Sequence, residues 1–416
     1  MTTKKLFSDL KDGANVFLHS AACNPGPLVE MMCEAALEQG IKNLKFYHLH
    51  LDGEAVHLDQ KYTNFAEANC FFVGANCRKA MENGQASYIP VFLSQIHELF
   101  ANGTIDLDYA LIQVSPFDEH GYATLGPSVD ISVSALHHAD KVIAMINPKV
   151  PKVFGDGVVH VNDLDACIDI TMELPSHESK PPSEINMKIG KHVANLIENG
   201  STLQMGIGDI PNAVLAQLTE HKDLGIHTEM FSDGLIPLVQ KGVITNKFKK
   251  IHPYRIVSSF AVGSRNLYNF LNDNPIVQFR EASFVNDPRM ILKNPKVCAI
   301  NSAIEVDITG QICADSIGRK IYSGVGGQVD FLRGAALSEG GKAIIALPSR
   351  TKHGKSKIVC KLAEGAGVVT TRAHAQYIVT EYGSVNLMGK SLKQRRELLI
   401  SIAHPDDREA LRKECY

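Results

Sequence analysis

The sequence predicts an α/β protein made of two similar open α/β domains. Two observations carry this. Short apolar runs bounded by glycine alternate with helix-like stretches along the chain, as layered α/β folds require. The same ordered pattern also occurs twice, which points to an internal duplication.

The elements follow in order. "ANVFLHS", "KVIAMIN", "STLQMGIG", "KVCAIN" and "KAIIALPS" are continuous apolar runs, the pattern of strands buried on both faces of a parallel sheet. "GPLVEMMCEAALEQG" and "IPNAVLAQLTEHKDLG" are expected to be helices, each opened near a proline and closed before a glycine. "LPSHESKPPSEINMKIG" is rich in Pro, Ser and charge over 174–184, a linker composition. It sets the expected domains at 1–180 and 181–416.

The duplication rests on two pairs. "GANVFLHSAACNPGPLVEMM" from Gly13 and "GSTLQMGIGDIPNAVLAQL" from Gly200 both read glycine, strand, loop, proline, helix. "IQVSPFDEHGYATLG" from Ile112 and "IEVDITGQICADSIG" from Ile304 both read I-x-V, turn, short strand, closing glycine. Two such halves facing each other would make a cleft between them, a favoured place for a ligand and the expected place of an active site.

Composition narrows the function. The 416 residues carry 42 basic and 45 acidic side chains, a net charge of −3. Without a basic stripe, nucleic acid and anionic membranes are poor partners. No run of about 18 apolar residues offers a membrane span, and the lysine-bearing N-terminus lacks an apolar signal segment. The nine cysteines are scattered with no C-x-x-C pair, so buried thiols in a reducing cytoplasm are expected. "HLH" (His48, His50) and "HH" (His137, His138) lack H-E-x-x-H or a cysteine pair to complete a ligand set, so no metal is expected.

Two loops point to anion chemistry. In "MGIGDIPNAV", Gly206 and Gly208 follow a strand and Pro211 opens a helix. Bare backbone and a helix N-terminus suit an oxyanion or phosphate. Pro211 stands where a third glycine would complete a dinucleotide fingerprint, so that reading fails. In "SGVGGQVDF", Gly324, Gly326 and Gly327 cluster where a regular element would lose ~1 kcal/mol per glycine. A bulge or turn is the plain explanation; a second donor set facing a ligand is the functional one.

"GIHTEMFSDG" places Glu229 against apolar Met230 and Phe231 at the end of a strand, where open α/β sheets put their sites. A surface ion pair is the plain alternative. Asp233 lies in a Ser-Asp-Gly turn and is expected to bond its own backbone. His19 occupies the loop position in the first half that Gly206 occupies in the second, and is expected to point to the shared cleft. No G-x-S-x-G elbow supports a serine hydrolase. The basic "KQRR" after Ser391 reads as a solvated helix face.

Together "GIGDIP", "GIHTEMFSDG", "NSAIEVD", "GVGGQVDF" and "TEYGSVNLMGKS" resemble the acetyl-CoA hydrolase/transferase family, the family I coenzyme A transferases, over nearly the whole chain. "SPFDEHGYATLG" looks like the same family. The likeness is strongest to its 4-hydroxybutyrate and butyryl-CoA:acetate transferases. It implies a catalytic glutamate, matched here by Glu229, that exchanges CoA between an acyl-CoA and acetate through a glutamyl-CoA thioester. It further implies oxyanion and CoA contacts at Gly206, Ile207, Gly208, Asp209, Ile210, Ile304 and Gly327. A lysine after "LPSR", Lys352 with Lys355 close behind, would meet the CoA phosphates. His19 and Gln204 would orient the acyl group. The first-half loop "HSAACNP" departs from the glycine-rich form of many relatives. No tightly bound cofactor is implied; coenzyme A and acyl-CoA are substrates, and a cytoplasmic homodimer is expected. The alternatives are an acetyl-CoA hydrolase using the same glutamate, or a non-catalytic CoA-binding sensor that would not need Glu229.

Overall fold

The computed structural model describes residues 6–178, 181–206 and 208–415. The chain divides into two compact units, Met1–Glu178 with Ser258–Phe284, and Ser179–Val257 with Val285–Tyr416. A single cut at 180 therefore leaves Ser258–Phe284 on the far side of the unit in which it packs.

The first unit is built on a seven-stranded sheet. Its strands are β1 (Asn15–Leu18), β2 (Leu44–His48), β3 (Ala66–Cys70), β4 (Ala86–Tyr88), β5 (Leu107–Val114), β6 (Ala139–Ile146) and β7 (Ala166–Asp169). Their order is β7-β6-β5-β1-β2-β3-β4, and every pairing is parallel. Val16 and Leu18 of β1, Leu44 and Phe46 of β2 and Leu111 of β5 are buried in one core with the helix α1 (Gly26–Gln39). That helix starts beside Pro25 and stops at Gly40. There φ is +69°, and the Gly40 N–H caps the Ala36 and Leu37 carbonyls, a left-handed stop that glycine adopts without a Cβ penalty.

The second unit has a six-stranded sheet. Its strands are β8 (Thr202–Met205), β9 (Gly225–Ile226), β10 (Val297–Ser302), β11 (Lys342–Ala346), β12 (Tyr377–Thr380) and β13 (Gly383–Asn386). The order is β9-β8-β10-β11-β12-β13, parallel except for the β12–β13 edge. Strand order reverses at β1 in one sheet and at β8 in the other. The two segments paired in the sequence therefore occupy the same topological position, and such reversal points are where open α/β sheets hold ligands.

Helix α2 (Glu184–Ala194) follows the Pro-rich stretch, capped by Ser183, whose hydroxyl accepts from the Asn186 N–H at 3.2 Å. Helix α3 (Asp209–Ala216) packs on it. The contact is backbone on backbone: a Cβ on Gly190 of α2 would lie 2.6 Å from the Ala213 carbonyl oxygen.

Three expectations are corrected, and one grouping is added. The helix over "IPNAVLAQLTEHKDLG" ends at Ala216. After Leu218 come Thr-Glu-His-Lys-Asp, five residues with no apolar face to bury, and Asp223 turns left-handed at φ +55°. The cysteines are not all thiols, because Cys360 and Cys415 form a disulfide with Cα atoms 5.1 Å apart. The histidine and cysteine spacings hid a grouping, since His48, Cys70 and Cys77 converge in the core of the first unit. The "KQRR" face of the helix α5 (Leu392–Ser401) is tied down in part: Arg395 donates to the Thr309 and Arg372 carbonyls at 3.1 and 2.6 Å. Among the described residues, no helix is long and apolar enough to cross a membrane.

Candidate active site

Strand β9 leads into Glu229 through alternating residues. His227 and Glu229 fall on the same side of an extended segment, two positions apart. Facing them is the stretch Val285–Asn286. His227 Nε2 donates to the Val285 carbonyl at 2.8 Å, and Asn286 Nδ2 donates to Glu229 Oε2 at 2.8 Å. The first contact sets the register that delivers the second. Burial pushes the His227 imidazole down to about 3, so it is neutral and Nε2 carries its proton. From below, Lys249 is buried and donates to the Ile226 carbonyl at 2.6 Å, fixing the end of β9. Thr228 Oγ1 accepts from the Met205 N–H at 3.2 Å and ties this segment to β8.

A second donor to Glu229 comes from the second glycine loop. Helix α4 (Gln328–Leu337) begins at Gly327, and the Gly327 N–H bonds the Glu229 carboxylate. Gly327 has φ −97°, open to any residue, so conformation does not demand glycine here. Space does: a Cβ at Gly327 would overlap Glu229 Oε2 and Asn286 Nδ2. The left-handed residue of the loop is Gly326, at φ +55°. The plain turn reading thus fits Gly326, and close approach to a functional side chain fits Gly327.

These contacts decide the state of the carboxyl. Desolvation raises the Glu229 pKa from 4.5 to about 7, and the Asn286 and Gly327 donors hold it from rising further. Glu229 is nevertheless partly open to solvent. A reachable, poorly solvated carboxylate held by two donors can attack an electrophilic carbon. The Asn286 Oδ1 atom is buried without a partner. A flip of the amide would let it accept from protonated Glu229, so one side chain serves both states.

The first glycine loop behaves differently from expectation at one residue. The Gly206 N–H donates to the Ile300 carbonyl at 2.9 Å, so it continues the sheet and is not free for an oxyanion. Gly208 is exposed at φ +115° with nothing within 4 Å of a Cβ; here conformation, not crowding, asks for glycine. Asp209 and Ile210 open α3, and the first N–H groups of a helix have no intrahelical partners. Ile207 lies outside the described residues.

The remaining residues separate. Gln204 is buried in β8 and exchanges hydrogen bonds with Asn301 of β10, at 2.9 and 3.4 Å. Its amide is held against the neighbouring strand. His19 is held more completely. It is fully buried, Nδ1 accepts from the Gln113 N–H at 3.1 Å, and Nε2 donates to the Ser128 carbonyl at 2.6 Å. Neither nitrogen is left for a ligand. Ile304 is half-buried, its N–H on the Cys313 carbonyl at 2.9 Å. Lys352 and Lys355 are exposed on a turn closed by the Thr351 N–H to the Lys355 carbonyl at 2.8 Å. Asp233 opens a 3-10 turn. Asn286 is the participant that sequence reasoning missed; "SFVND" carries no motif.

Comparison with known proteins identifies the family. The acetyl-CoA hydrolase/transferase N-terminal domain matches residues 1–175, and the C-terminal domain of the same family matches 263–415. A succinyl-CoA:acetate/propanoyl-CoA:succinate CoA transferase of Fasciola hepatica is 50% identical over 99% of this chain and 86% of its own. A 4-hydroxybutyrate coenzyme A transferase of Clostridium kluyveri is 42% identical over 100% of this chain and 96% of its own. Among solved structures, a 4-hydroxybutyrate CoA-transferase from Porphyromonas gingivalis superposes with a TM-score of 0.82 at 36% identity, covering 99% of this chain and 95% of that one. RipA from Yersinia pestis gives 0.92 at 32%, covering 99% and 96%. The two domain matches and the full-length identities have one meaning: this protein belongs to the acetyl-CoA hydrolase/transferase family.

Proposed function

We propose that the protein is a CoA-transferase that moves CoA between a short-chain acyl-CoA and acetate, with Glu229 as the covalent carrier. The observation that carries this reading is the Glu229 carboxyl, held by Asn286 and Gly327 with its pKa raised to about 7. Burial leaves the ionised form under-solvated, so it gains by forming a covalent bond. Its oxygen attacks the thioester carbonyl, the C–S bond breaks, and an acyl–glutamyl anhydride forms with CoA thiolate. The thiolate adds to the glutamyl carbonyl and expels the free acid, leaving a glutamyl-CoA thioester. Acetate then reverses the sequence and departs as acetyl-CoA. Each addition creates an oxyanion, which we assign to the donors that hold the Glu229 carboxylate and to the opening N–H groups of α3. One such donor is worth ~2.7–4 kcal/mol in related chemistry.

Butyryl-CoA and 4-hydroxybutyryl-CoA are the acyl donors proposed first. Succinyl-CoA joins them, because a relative at 50% identity is named for succinyl-CoA. The enzyme is proposed to act as a cytoplasmic homodimer, with Lys352 or Lys355 meeting the CoA phosphates.

The decisive experiment incubates purified enzyme with each acyl-CoA and no acceptor. A CoA adduct on Glu229 in intact-mass spectra, discharged by acetate, is the expected result. No adduct, with intersecting initial-rate lines, would remove the covalent route. Acetyl-CoA hydrolases at 26% identity give the second reading. It requires the adduct to be discharged by water as fast as by acetate.

A further inference from the structure

The carboxyl ends of β2 and β3, remote in sequence from Glu229, carry a cluster the transfer chemistry does not use. His48 ends β2, Cys70 ends β3, and the two are register partners across the parallel ladder. The chain then turns, with the Cys77 N–H on the Gly74 carbonyl at 3.1 Å, and brings Cys77 back to them. One donor atom from each of His48, Cys70 and Cys77 lies within 4.8 Å of the other two. All three residues are fully buried. Zinc bonds of ~2.3 Å to sulfur and ~2.0 Å to nitrogen put tetrahedral ligand atoms roughly 3.5–4 Å apart, so only a small closure is needed.

The orientation of His48 fits a ligand. Its Nδ1 stands 3.1 Å from the Leu49 carbonyl and can only donate to it. That leaves the Nε2 lone pair facing Cys70 Sγ, 3.8 Å away. A metal-bound imidazole is commonly held in this way by its second nitrogen. His57 supplies an independent observation. It is 1% exposed, and both of its ring nitrogens lack partners. Its ring stands edge-on to that of His48, with centroids 5.4 Å apart. A buried imidazole with two unmet nitrogens loses the hydration of both, so it needs a reason. Packing against Phe46, 4.9 Å between centroids, satisfies neither nitrogen.

We infer that His48, Cys70 and Cys77 form a structural site for Zn²⁺, with the neighbouring His57 outside the converged group as the residue that would close in as fourth ligand. The two thiols lose their protons as two Zn–S bonds form, and each neutral imidazole gives one nitrogen lone pair, so two protons are released per ion. Thiolates select zinc over magnesium or calcium. With His57 drawn in, four protein ligands would leave no open position, so the ion would bind the ends of β2 and β3 to the loops that follow them and take no part in catalysis.

The test uses the full-length protein and Zn²⁺ or Co²⁺ as the probe. Zinc analysis of protein grown with added zinc should give one equivalent per chain. The Co²⁺ form should show thiolate-to-cobalt charge transfer and tetrahedral d–d bands. Cys77→Ser should lose the metal, Cys167→Ser should keep it, and His57→Phe should weaken zinc ~10-fold or more in chelator competition. Absence of metal from folded wild-type protein, a Cys70–Cys77 disulfide in its place, or equal zinc in Cys77→Ser would overturn the site. If the cysteine variant does not fold, melting of the wild type decides. A rise in Tm with Zn²⁺ over chelator, with release of two protons, supports the site. An unchanged Tm overturns it.

Discussion

The turns after β1 and β8 hold the same place in their two sheets and have opposite characters. Each follows the strand at which the strand order reverses. After β1, His19 is sealed in, with both nitrogens bonded to backbone. After β8, Gly206 is half-buried and Gly208 exposed, at a φ that side chains avoid. Duplication supplies the scaffold twice. Reactivity then depends on where side chains are withdrawn, so that backbone donors and one carboxyl stay reachable.

Breaking the open end should have the largest effect. Glu229→Ala should cut transfer on the order of 10⁴-fold or more, the scale for a lost covalent nucleophile, with circular dichroism unchanged. Glu229→Asp, drawn back about 1 Å, should still lose ~10²-fold. Wild-type rates from the alanine variant in a coupled assay would remove Glu229 from the mechanism.

Gly327→Ala comes next. The new methyl would occupy the space of the carboxylate, so transfer should fall by ~10²-fold or more, as a misplaced reacting group does. Stability should change by no more than the ~1–3 kcal/mol of overpacking. A large fall in Tm with normal activity in the folded fraction would return Gly327 to a structural role.

Asn286→Ala removes one hydrogen bond to a charged group, about 1.5–3 kcal/mol, or roughly 10- to 100-fold in kcat/KM. It should also move the pH dependence. Wild-type adduct formation should rise as pH passes about 7, where Glu229 ionises. Asn286 favours the ionised form, so its loss should push that inflection higher. The raised pKa means the folded state prefers protonated Glu229. This group's stabilisation is full below pH 4.5 and is lost as pH rises through about 7. An inflection unmoved by Asn286→Ala in single-turnover assays would show that another group titrates.

The sealed end gives the smallest catalytic effect. His19→Phe leaves the Gln113 N–H and Ser128 carbonyl without partners, which should cost about 1–3 kcal/mol for each group left unsatisfied. KM for the carboxylic acid should stay the same. A raised KM at unchanged Tm would restore His19 as a substrate contact.

Much of this fold was legible because strands buried on both faces carry a continuous apolar signal: "KVCAIN" and "KAIIALPS" became β10 and β11 with little change. The second half of "IPNAVLAQLTEHKDLG" misled because its closing glycine suggested a longer helix than its apolar spacing supports. At the site, the glycines of "SGVGGQ" announced bare backbone, but the sequence could not say which glycine met a side chain. Asn286 lies 57 residues from Glu229, and the His227–Val285 contact helps bring the two together. The Cys70–Cys77 spacing matches no familiar ligand pattern, and the histidine grouped with them, His48, comes from another strand.

Gly190 has a mechanical consequence. Where α2 meets α3, backbone touches backbone, with no side chain between to act as a spring. Helix α3 therefore has little compliance in that direction, and neither do the N–H groups at its opening turn. A rigid donor responds to a forming negative charge with its dipole already in place. A yielding one would relax towards the charge only after the charge had appeared, and part of the stabilisation would be lost to that movement. If those N–H groups serve the proposed transfer, part of their rigidity comes from a glycine one helix away.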